Sequence, residues 1–344
     1  MTKHYHYPIR IEDMLIKNRK VQYVIGAVLI ACIIFKIFPL YRAAPPQRTY
    51  ADFEQSLCKN DIQTRNLWNR KQCPDQGIIT VMEGGRLGNQ MWAYVTVWAY
   101  ARTGKLKPYL PKCVKDQMAL MFDQLTIPDF EGISHCPVKF EEQYVNKSNL
   151  YWSFTNKSII IIPKFYRNPT LLLRWLDDIL PEFRFNKKLT ENAQKILTGF
   201  VRNLPAKSYT FIAVHVRRTD YIGYIARIYG DSAASRQFYV KAMKYYENKF
   251  PNCLFIFISD DPTWCYQEFG NRENVYVTSY GTEKLNSPAE DMAVMAACNH
   301  TIIDYGTFGE WGSILAGGET VYCNLKVNDY KGLAKWKNWT KMDN

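Results

Sequence analysis

Two adjacent arginines and an aspartate follow an apolar run, and this combination suits the binding of an anion. The run Phe211–Val216 has strand character and includes His215, and Arg217, Arg218 and Asp220 follow it. Each guanidinium presents a fork of donors that matches a carboxylate or a phosphate, so two of them after a buried strand are costly without an anion. These residues therefore indicate an anion site. Two surface arginines, one of them paired with the aspartate, are the alternative.

Two aspartates follow the next apolar run of the chain. The run is Leu254–Ile258, and Asp260 and Asp261 come after it, with Pro262 well placed to begin a helix. Paired aspartates can bind a metal, act as acid or base, hold an arginine, or cap the helix. Because open α/β sheets bind ligands at the carboxyl ends of their strands, we expect the arginines and the aspartates to share one edge.

Two glycine turns have the order strand, turn, helix. The first turn follows Ile78–Met82 and the second follows Thr301–Asp304. In this order, backbone N–H groups and a helix N-terminus face a negatively charged ligand, although a simple tight turn is the alternative. The residues of interest are Arg86, Gly88, Asn89 and Gln90 in the first turn and Thr307, Phe308 and Gly309 in the second.

Strands alternate with helices from residue 210 to residue 323, which predicts an α/β fold with a parallel, Rossmann-like sheet. Apolar residues recur at helical spacing in Asn168–Ile179 and Lys187–Leu204, which predicts two further helices, and Ser158–Pro163 has strand character. A basic clamp opposite a glycine turn suits a diphosphate. The sheet would bring to one edge Arg217, Arg218, Asp220, Asp260, Asp261 and Thr307.

The segment 21–38 is almost entirely apolar, which predicts an N-terminal transmembrane helix. Basic residues dominate the tail 1–20, so the tail is expected in the cytosol and the bulk of the chain in a lumen. A cleaved signal peptide is the alternative, but no small-x-small cleavage site follows Phe38. Residues 39–76 contain prolines, and their apolar residues show no sustained helical or strand period. This pattern predicts a stem before a folded domain.

Composition agrees with a folded lumenal domain. Of the formal net charge of +12, residues 1–42 contribute seven basic and two acidic side chains, and the excess of +7 in the rest of the chain is scattered. No basic block with interleaved aromatic residues is present, so nucleic-acid binding is not expected. Eight cysteines follow the anchor, an even number that suggests disulfides without choosing their connectivity. No C-x-x-C pair occurs, so a zinc site is not expected. Glycosylation acceptors begin at Asn146, Asn156, Asn338 and, with least support, Asn299.

Three motifs together resemble the α1,2-fucosyltransferases and, more distantly, the α1,6- and protein O-fucosyltransferases. The motifs are Gly85–Met91, Val214–Tyr221 and the segment from Cys298 through Gly306–Gly309 to Tyr322. The resemblance implies a two-lobed, GT-B-like glycosyltransferase. Such an enzyme would transfer L-fucose from GDP-fucose with inversion of configuration at the anomeric carbon, and would need no metal or other cofactor. Residues 77–205 would form the acceptor-side part, and residues 206–344 the GDP-fucose-binding part.

The resemblance also assigns roles. Arg217 would clamp the diphosphate with support from Arg218 and Asp220, His215 would line the nucleotide pocket, and Asp291 would read the guanine edge. The second glycine turn, through Thr307, Phe308 and Gly309, would bind phosphate. The first turn, through Arg86, Gly88, Asn89 and Gln90, would approach fucose or diphosphate. The resemblance does not identify the general base, and the candidates are Asp220, Asp260, Asp261 and Glu310. Glu310 lies where the family commonly has an apolar or aromatic residue. A reaction through a loose fucosyl cation would need no strong base.

The expected activity is α1,2 transfer to a galactose on glycoproteins or glycolipids, by a single-pass type II protein of the Golgi membrane. Another fucose linkage or acceptor is one alternative. A catalytically inactive, membrane-tethered glycan-binding protein is another. The segment Tyr221–Ser235 departs from the family pattern, so the acceptor stays open. Expected partners are GDP-fucose, a galactose-containing glycan and the membrane, and the sequence is compatible with a homodimer.

Overall fold

The computed structural model describes residues 23–24, 26–28, 30, 47–62, 69–104, 106–145, 157–202, 204–205, 208–282, 285–328, 330, 332–333 and 339–344. The chain divides into two compact units, Met1–Arg48 and Thr49–Asn344. In the first unit, residues 23–24, 26–28 and 30 are helical. The rest of the predicted membrane segment 21–38 and the tail 1–20 lie outside the described residues. Within the described ranges, no helix is long and apolar enough to cross a membrane.

The second unit begins with a four-stranded parallel sheet. Its strand order is β2 (Lys107–Pro108), β1 (Ile78–Val81), β4 (Ser158–Ile162) and β3 (Glu141–Tyr144). β1 and β4 are buried along their whole length, as expected for parallel strands that are apolar on both faces. The accompanying helices are α1 (Tyr50–Leu57), α2 (Leu87–Gly104), α3 (Lys112–Ala119), α4 (Pro169–Arg174), α5 (Leu176–Ile179) and α6 (Lys187–Val201), with 3-10 turns at Glu131–Ile133 and Leu180–Phe183.

A six-stranded parallel sheet follows, which confirms the predicted α/β fold. Its strand order is β10 (Trp339–Met342), β9 (Thr320–Cys323), β8 (His300–Ile303), β5 (Thr210–Val216), β6 (Cys253–Ser259) and β7 (Val275–Val277). The chain builds outward from β5 in one direction and then returns to β8 on the other side. The accompanying helices are α7 (Thr219–Tyr229), α8 (Arg236–Glu247), α9 (Pro262–Phe269), α10 (Pro288–Ala296) and α11 (Thr307–Ala316).

The compact unit begins earlier than the sequence suggested. The predicted stem 39–76 includes α1, whose buried aromatic residues contact Phe130. The disulfides Cys58–Cys113 and Cys73–Cys136 join this segment covalently to the four-stranded half. The stem prediction is corrected accordingly, because residues from Thr49 onward belong to the compact unit. An eight-residue helix carries too few apolar positions to show a clear period.

Disulfides are confined to one half of the described chain. Cys253, Cys265, Cys298 and Cys323, all around the six-stranded sheet, are free and buried. Burial raises the pKa of the Cys265 and Cys298 thiols to about 12, so both stay protonated at neutral pH. The suggestion of disulfides is thus confirmed for four of the eight cysteines after the anchor.

Candidate active site

The candidate site lies where the strand order of the six-stranded sheet changes direction. β5 and β8 are neighbours there, yet the chain leaves them toward opposite sides of the sheet. Arg217 follows the end of β5, and Asp304 follows the end of β8. Ligands bind outside the carboxyl ends of strands at such a switch point, since the two connecting loops diverge and leave a crevice.

Asp304 is the polar centre of this edge, and its side chain is only 1% exposed. Its Oδ1 lies 3.2 Å from His215 Nδ1 and accepts the Tyr305 N–H at 2.7 Å. Its Oδ2 accepts the Arg217 backbone N–H at 2.6 Å and the Tyr239 hydroxyl at 3.1 Å. A buried carboxylate with this many partners is well satisfied and fixes the groups around it.

Sequence reasoning gave Asp304 no role. One signal was available, because an aspartate follows each of the three central strands of the sheet: β5, β6 and β8. Its partners Arg217 and His215 lie 87 and 89 residues away along the chain, so no local pattern marks these contacts.

The Arg217 guanidinium is held by carboxylates. Its side chain is 13% exposed and forms ion pairs with Asp220 and Asp260. It also donates to the Thr219 hydroxyl at 2.9 Å, and its Cζ lies 4.9 Å from the centre of the Tyr221 ring. An anionic ligand at this guanidinium must therefore compete with a carboxylate.

Asp260 and Asp261 serve as supports for the arginines. Asp260 also accepts the Arg218 backbone N–H at 2.9 Å. Asp261 accepts from Arg218 Nε at 3.2 Å and caps α9 by accepting the Trp264 N–H at 3.1 Å. The Arg218 Cζ lies 3.9 Å from the centre of the Trp264 ring, a distance suited to a cation–π contact. Of the roles open to the aspartates in the sequence, arginine binding and helix capping are the ones observed.

Asp220 is the most exposed carboxylate of the group. Its side chain is 58% exposed and binds Arg217 through one oxygen, while the other lies 3.6 Å from Arg86 Nη2. Burial would raise its pKa, but the Thr219 hydroxyl and the two arginine charges outweigh burial and lower it. Arg86 belongs to the first glycine turn, so this contact joins the edges of the two sheets.

Gly88 allows the two glycine turns to touch. A Cβ at this position would lie 2.6 Å from the Thr307 carbonyl carbon and 2.8 Å from the Phe308 nitrogen, so a side chain does not fit. The helices α2 and α11 therefore begin side by side. Gly306, with φ of +93°, precedes α11 and offers no side-chain cap. The first N–H groups of α11 are thus left for other acceptors.

The histidine packs under the second turn. His215 is 5% exposed, and its ring stacks on Phe308 with 5.4 Å between ring centres. A Cβ on Gly309 would lie 2.8 Å from His215 Nδ1, so glycine permits this close approach. His215 therefore supports the turn from the interior side, and Thr307 and Phe308 are the partly exposed residues of the turn.

Asp291 joins the same edge through the first turn of α10. Desolvation raises its pKa to about 6, outweighing a hydrogen bond from Asn286 at 3.0 Å and the charge of nearby His215. The helix begins with a capping box between Ser287 and Glu290, which leaves the Asp291 carboxyl unused by the cap.

Two predicted residues of the first turn have other surroundings. Gln90 is 2% exposed and donates to Gln117 at 2.6 Å inside the four-stranded half, so the structure does not bring it to the edge. Asn89 packs against Gly85, where a Cβ would lie 2.2 Å from Asn89 Nδ2. The φ of Gly85 is +74°, so this turn needs glycine for its backbone as well.

Glu310 is a buried structural carboxylate. It is 1% exposed, and its two oxygens accept from Arg167 Nε at 2.9 and 3.0 Å. Its Oε2 also accepts the Trp92 indole N–H at 2.9 Å. Arg167 follows β4 and Trp92 lies in α2, so Glu310 links α11 to the four-stranded half. These contacts argue against Glu310 as the general base.

Asn299 and two metal-like clusters lie away from this chemistry. Asn299 is exposed, and its Oδ1 accepts the Phe211 N–H at 2.9 Å, whereas Asn146, Asn156 and Asn338 lie outside the described residues. Two clusters in the described ranges have ligand atoms near enough to share a metal, and each contains a disulfide, whose sulfurs are not thiolates. They are Cys73, His135 and Cys136, and Cys58, Glu83 and Cys113.

The fold is an α/β fold with two parallel sheets. The carboxyl ends of their strands meet at a group of arginines, carboxylates and glycine turns, and this group suits a multiply charged anion. The family model for glycosyl transferase family 11 matches residues 45–342, so the chain belongs to that family. The predicted enzyme class, a glycosyltransferase, is confirmed.

Relatives agree with the motif resemblance. Galactoside alpha-(1,2)-fucosyltransferase 2 from Pongo pygmaeus is 30% identical over 254 residues, 72% of this chain and 71% of the relative. The protein of the same name from Mus musculus is 31% identical over 257 residues, with the same shares. Among solved structures, the fucosyltransferase NodZ from Bradyrhizobium aligns with a TM-score of 0.46 and 11% identity, over 70% of this chain and 93% of that chain.

The ion pair between Glu310 and Arg167 predicts an asymmetric mutational result. Arg167→Met should lower the free energy of unfolding by about 3–5 kcal/mol, because it leaves a buried carboxylate without a counter-ion. Glu310→Leu should cost less, since the Arg167 side chain is 22% exposed and keeps some hydration. The double variant should recover much of the loss, because an apolar pair can replace a buried ion pair.

Denaturant unfolding of the full chain measures these changes. The control is Glu191→Gln, which removes an ion pair with Lys187 in which the two side chains are 63% and 87% exposed, and should cost about 1 kcal/mol or less. Strictly additive losses in the double variant would contradict the pairing.

Proposed function

We propose that this protein transfers L-fucose from GDP-fucose to a glycan hydroxyl with inversion at the anomeric carbon. The observation that carries the proposal is the Arg217 guanidinium, held at the switch point by two aspartates. The uncapped α11 begins after β8, the strand that pairs with β5. The related proteins named above are galactoside α1,2-fucosyltransferases. Their names support galactose as the acceptor sugar and an α1,2 linkage here, on glycoproteins or glycolipids.

The arginine edge suits a nucleotide diphosphate as leaving group. The planar fork of Arg217 can bind two phosphate oxygens at once, and the N–H groups of α11 add a second donor set. Arg86, 79% exposed, supplies a further cation from the other sheet. When the bond from fucose C1 to the β-phosphate oxygen breaks, its electron pair goes to GDP, and these donors stabilise the growing charge.

The acceptor hydroxyl forms the new bond to C1 and must lose a proton. Among the four candidate carboxylates, we assign that proton to Asp220. The Asp220 side chain is 58% exposed, whereas Asp260, Asp261 and Glu310 are 26%, 32% and 1% exposed. Each of these three also accepts a structural hydrogen bond, from the Arg218 N–H, the Trp264 N–H and the Trp92 indole respectively. A diphosphate that binds Arg217 and Arg86 would offset their positive charges, which now stabilise the Asp220 carboxylate, and so would raise the pKa of Asp220.

The setting follows the sequence. We propose a Golgi type II membrane protein anchored by residues 21–38, and the two disulfides support an oxidising compartment. The two sheets support a GT-B-like, two-lobed arrangement of donor and acceptor sides. We further propose that turnover needs no metal. A homodimer remains an expectation from the sequence.

The clamp is tested by Arg217→Lys in the full-length, detergent-solubilised protein. Transfer of labelled fucose from GDP-fucose to a galactoside should fall by about 100-fold or more, because a lysine point charge cannot bind two phosphate oxygens side by side. The unfolding midpoint should change little. Arg236→Lys, at an exposed ion pair with Glu268, is the matched control and should keep full activity. Full activity in Arg217→Lys would refute the clamp, and GDP binding without any transfer in the wild type would favour the inactive glycan-binding protein.

Metal independence gives a second expectation. Transfer should continue at the same rate after extensive treatment with a chelator, because the proposed charge stabilisation comes from arginines and N–H groups. Activity measured with and without added manganese decides the point, and a strict requirement for manganese would overturn this part of the proposal.

Asp291 gives a pH dependence. A carboxylate that accepts the guanine N1–H and N2–H groups must be ionised, and the pKa of Asp291 is about 6. GDP affinity should therefore fall as pH drops through this value, and Asp291→Asn should weaken binding at higher pH and flatten the profile. Calorimetry of GDP binding from about pH 5 to pH 8 measures this, with pyrophosphate as the control for phosphate titration. An unchanged profile in the variant would exclude Asp291 from guanine recognition.

A further inference from the structure

Phe165 has a backbone conformation that folding alone does not readily explain. Its φ is +63°, in the left-handed region that is unfavourable for a bulky L-residue. The other described non-glycine residues with positive φ are Asn252 and Ser279, which carry small polar side chains. The Phe165 side chain is also 60% exposed, so little burial compensates for the conformation. Strained residues that persist are held by their surroundings and are concentrated at functional sites.

The loop around Phe165 is held on both sides. A Cβ on Gly84 would lie 2.3 Å from Lys164 Cβ, so the loop after β4 presses against the first glycine turn. Tyr166 is buried, and its N–H donates to the Pro163 carbonyl at 3.3 Å. Arg167 is fixed by its ion pair with Glu310. These contacts keep the aromatic ring of Phe165 exposed beside the turn that carries Arg86.

Other exposed apolar residues near the edge need no such explanation. Ile222 and Ile228 lie on α7, in ordinary helical conformation, and are 39% and 55% exposed. Single exposed aliphatic side chains are common on protein surfaces. Phe165 differs because it combines exposure, an unfavourable backbone and a fixed place beside the site.

We propose that Phe165 is a stacking platform for a sugar ring of the acceptor glycan. This inference rests on the proposed function. The C–H groups on one face of galactose form a continuous apolar patch, and they carry partial positive charge that is attracted to the face of an aromatic ring. The ring hydroxyls then remain at the rim, where the exposed side chains of Arg86 and Lys164 offer donors. Phe165 would thus orient the acceptor from the side of the four-stranded sheet.

The test measures acceptor and donor kinetics separately in the full-length enzyme. Phe165→Ala should raise the KM for a galactoside acceptor by about two- to tenfold and leave the KM for GDP-fucose unchanged. Phe165→Trp should retain acceptor affinity. The control is Leu120→Ala, which removes a 73% exposed apolar side chain after α3 and should change neither constant.

A glycine variant separates strain from contact. Phe165→Gly should raise the unfolding midpoint, because glycine adopts positive φ without penalty, and should still weaken acceptor binding as alanine does. Unchanged acceptor KM in both the alanine and the glycine variants of an active enzyme would overturn the platform. If the wild type transfers no fucose, the proposed function fails instead. Saturation-transfer NMR then measures galactoside binding directly, and the platform stands only if Phe165→Ala weakens it.

Discussion

The buried carboxylate of Asp304 connects the two strands on which the site depends. It accepts the Arg217 backbone N–H and contacts the His215 ring, so the end of β8 fixes both the course of the chain after β5 and the histidine under the second glycine turn. A carboxyl group this deeply buried is tolerated because the backbone N–H groups of Arg217 and Tyr305 and the Tyr239 hydroxyl donate to it. Arg217 is therefore positioned by backbone and interior contacts, and its side chain binds the aspartates and is available for the proposed clamp.

A second set of contacts aligns the two sheets. The Gly88 turn touches Thr307, Arg86 approaches Asp220, and Glu310 binds Arg167 across the same boundary. Each contact joins a segment that follows a strand of one sheet to a segment that follows a strand of the other. The donors of the proposed anion site therefore come from both sheets.

The strands β5 to β9 and the helices α8 to α11 could be predicted closely, because each of these strands is a short apolar run. The helix α7 and the strand β10 were not predicted, and the sequence of β10, Trp-Thr-Lys-Met, contains no apolar run. The pairing of side chains could not be predicted. Glu310 and Arg167 are 143 residues apart, and local sequence does not show that a carboxylate in a helix will meet a particular arginine. Gln90 was misleading for a related reason: it belongs to a motif, but its place on α2 turns it toward Gln117. The aspartates after β6 were recognised, and only the structure shows that they hold arginines.

The charges of the three arginines and of the three aspartates paired with them balance, and this bears on selectivity. Arg86, Arg217 and Arg218 are matched by Asp220, Asp260 and Asp261. A neutral cluster exerts little long-range attraction, so chloride or free phosphate gains little by entering. A ligand must instead displace Asp220 from Arg217 by offering oxygens in the right geometry at several points together. Discrimination between ligands then comes from the free energy needed to break an existing ion pair, because only a ligand that makes many contacts can offset it.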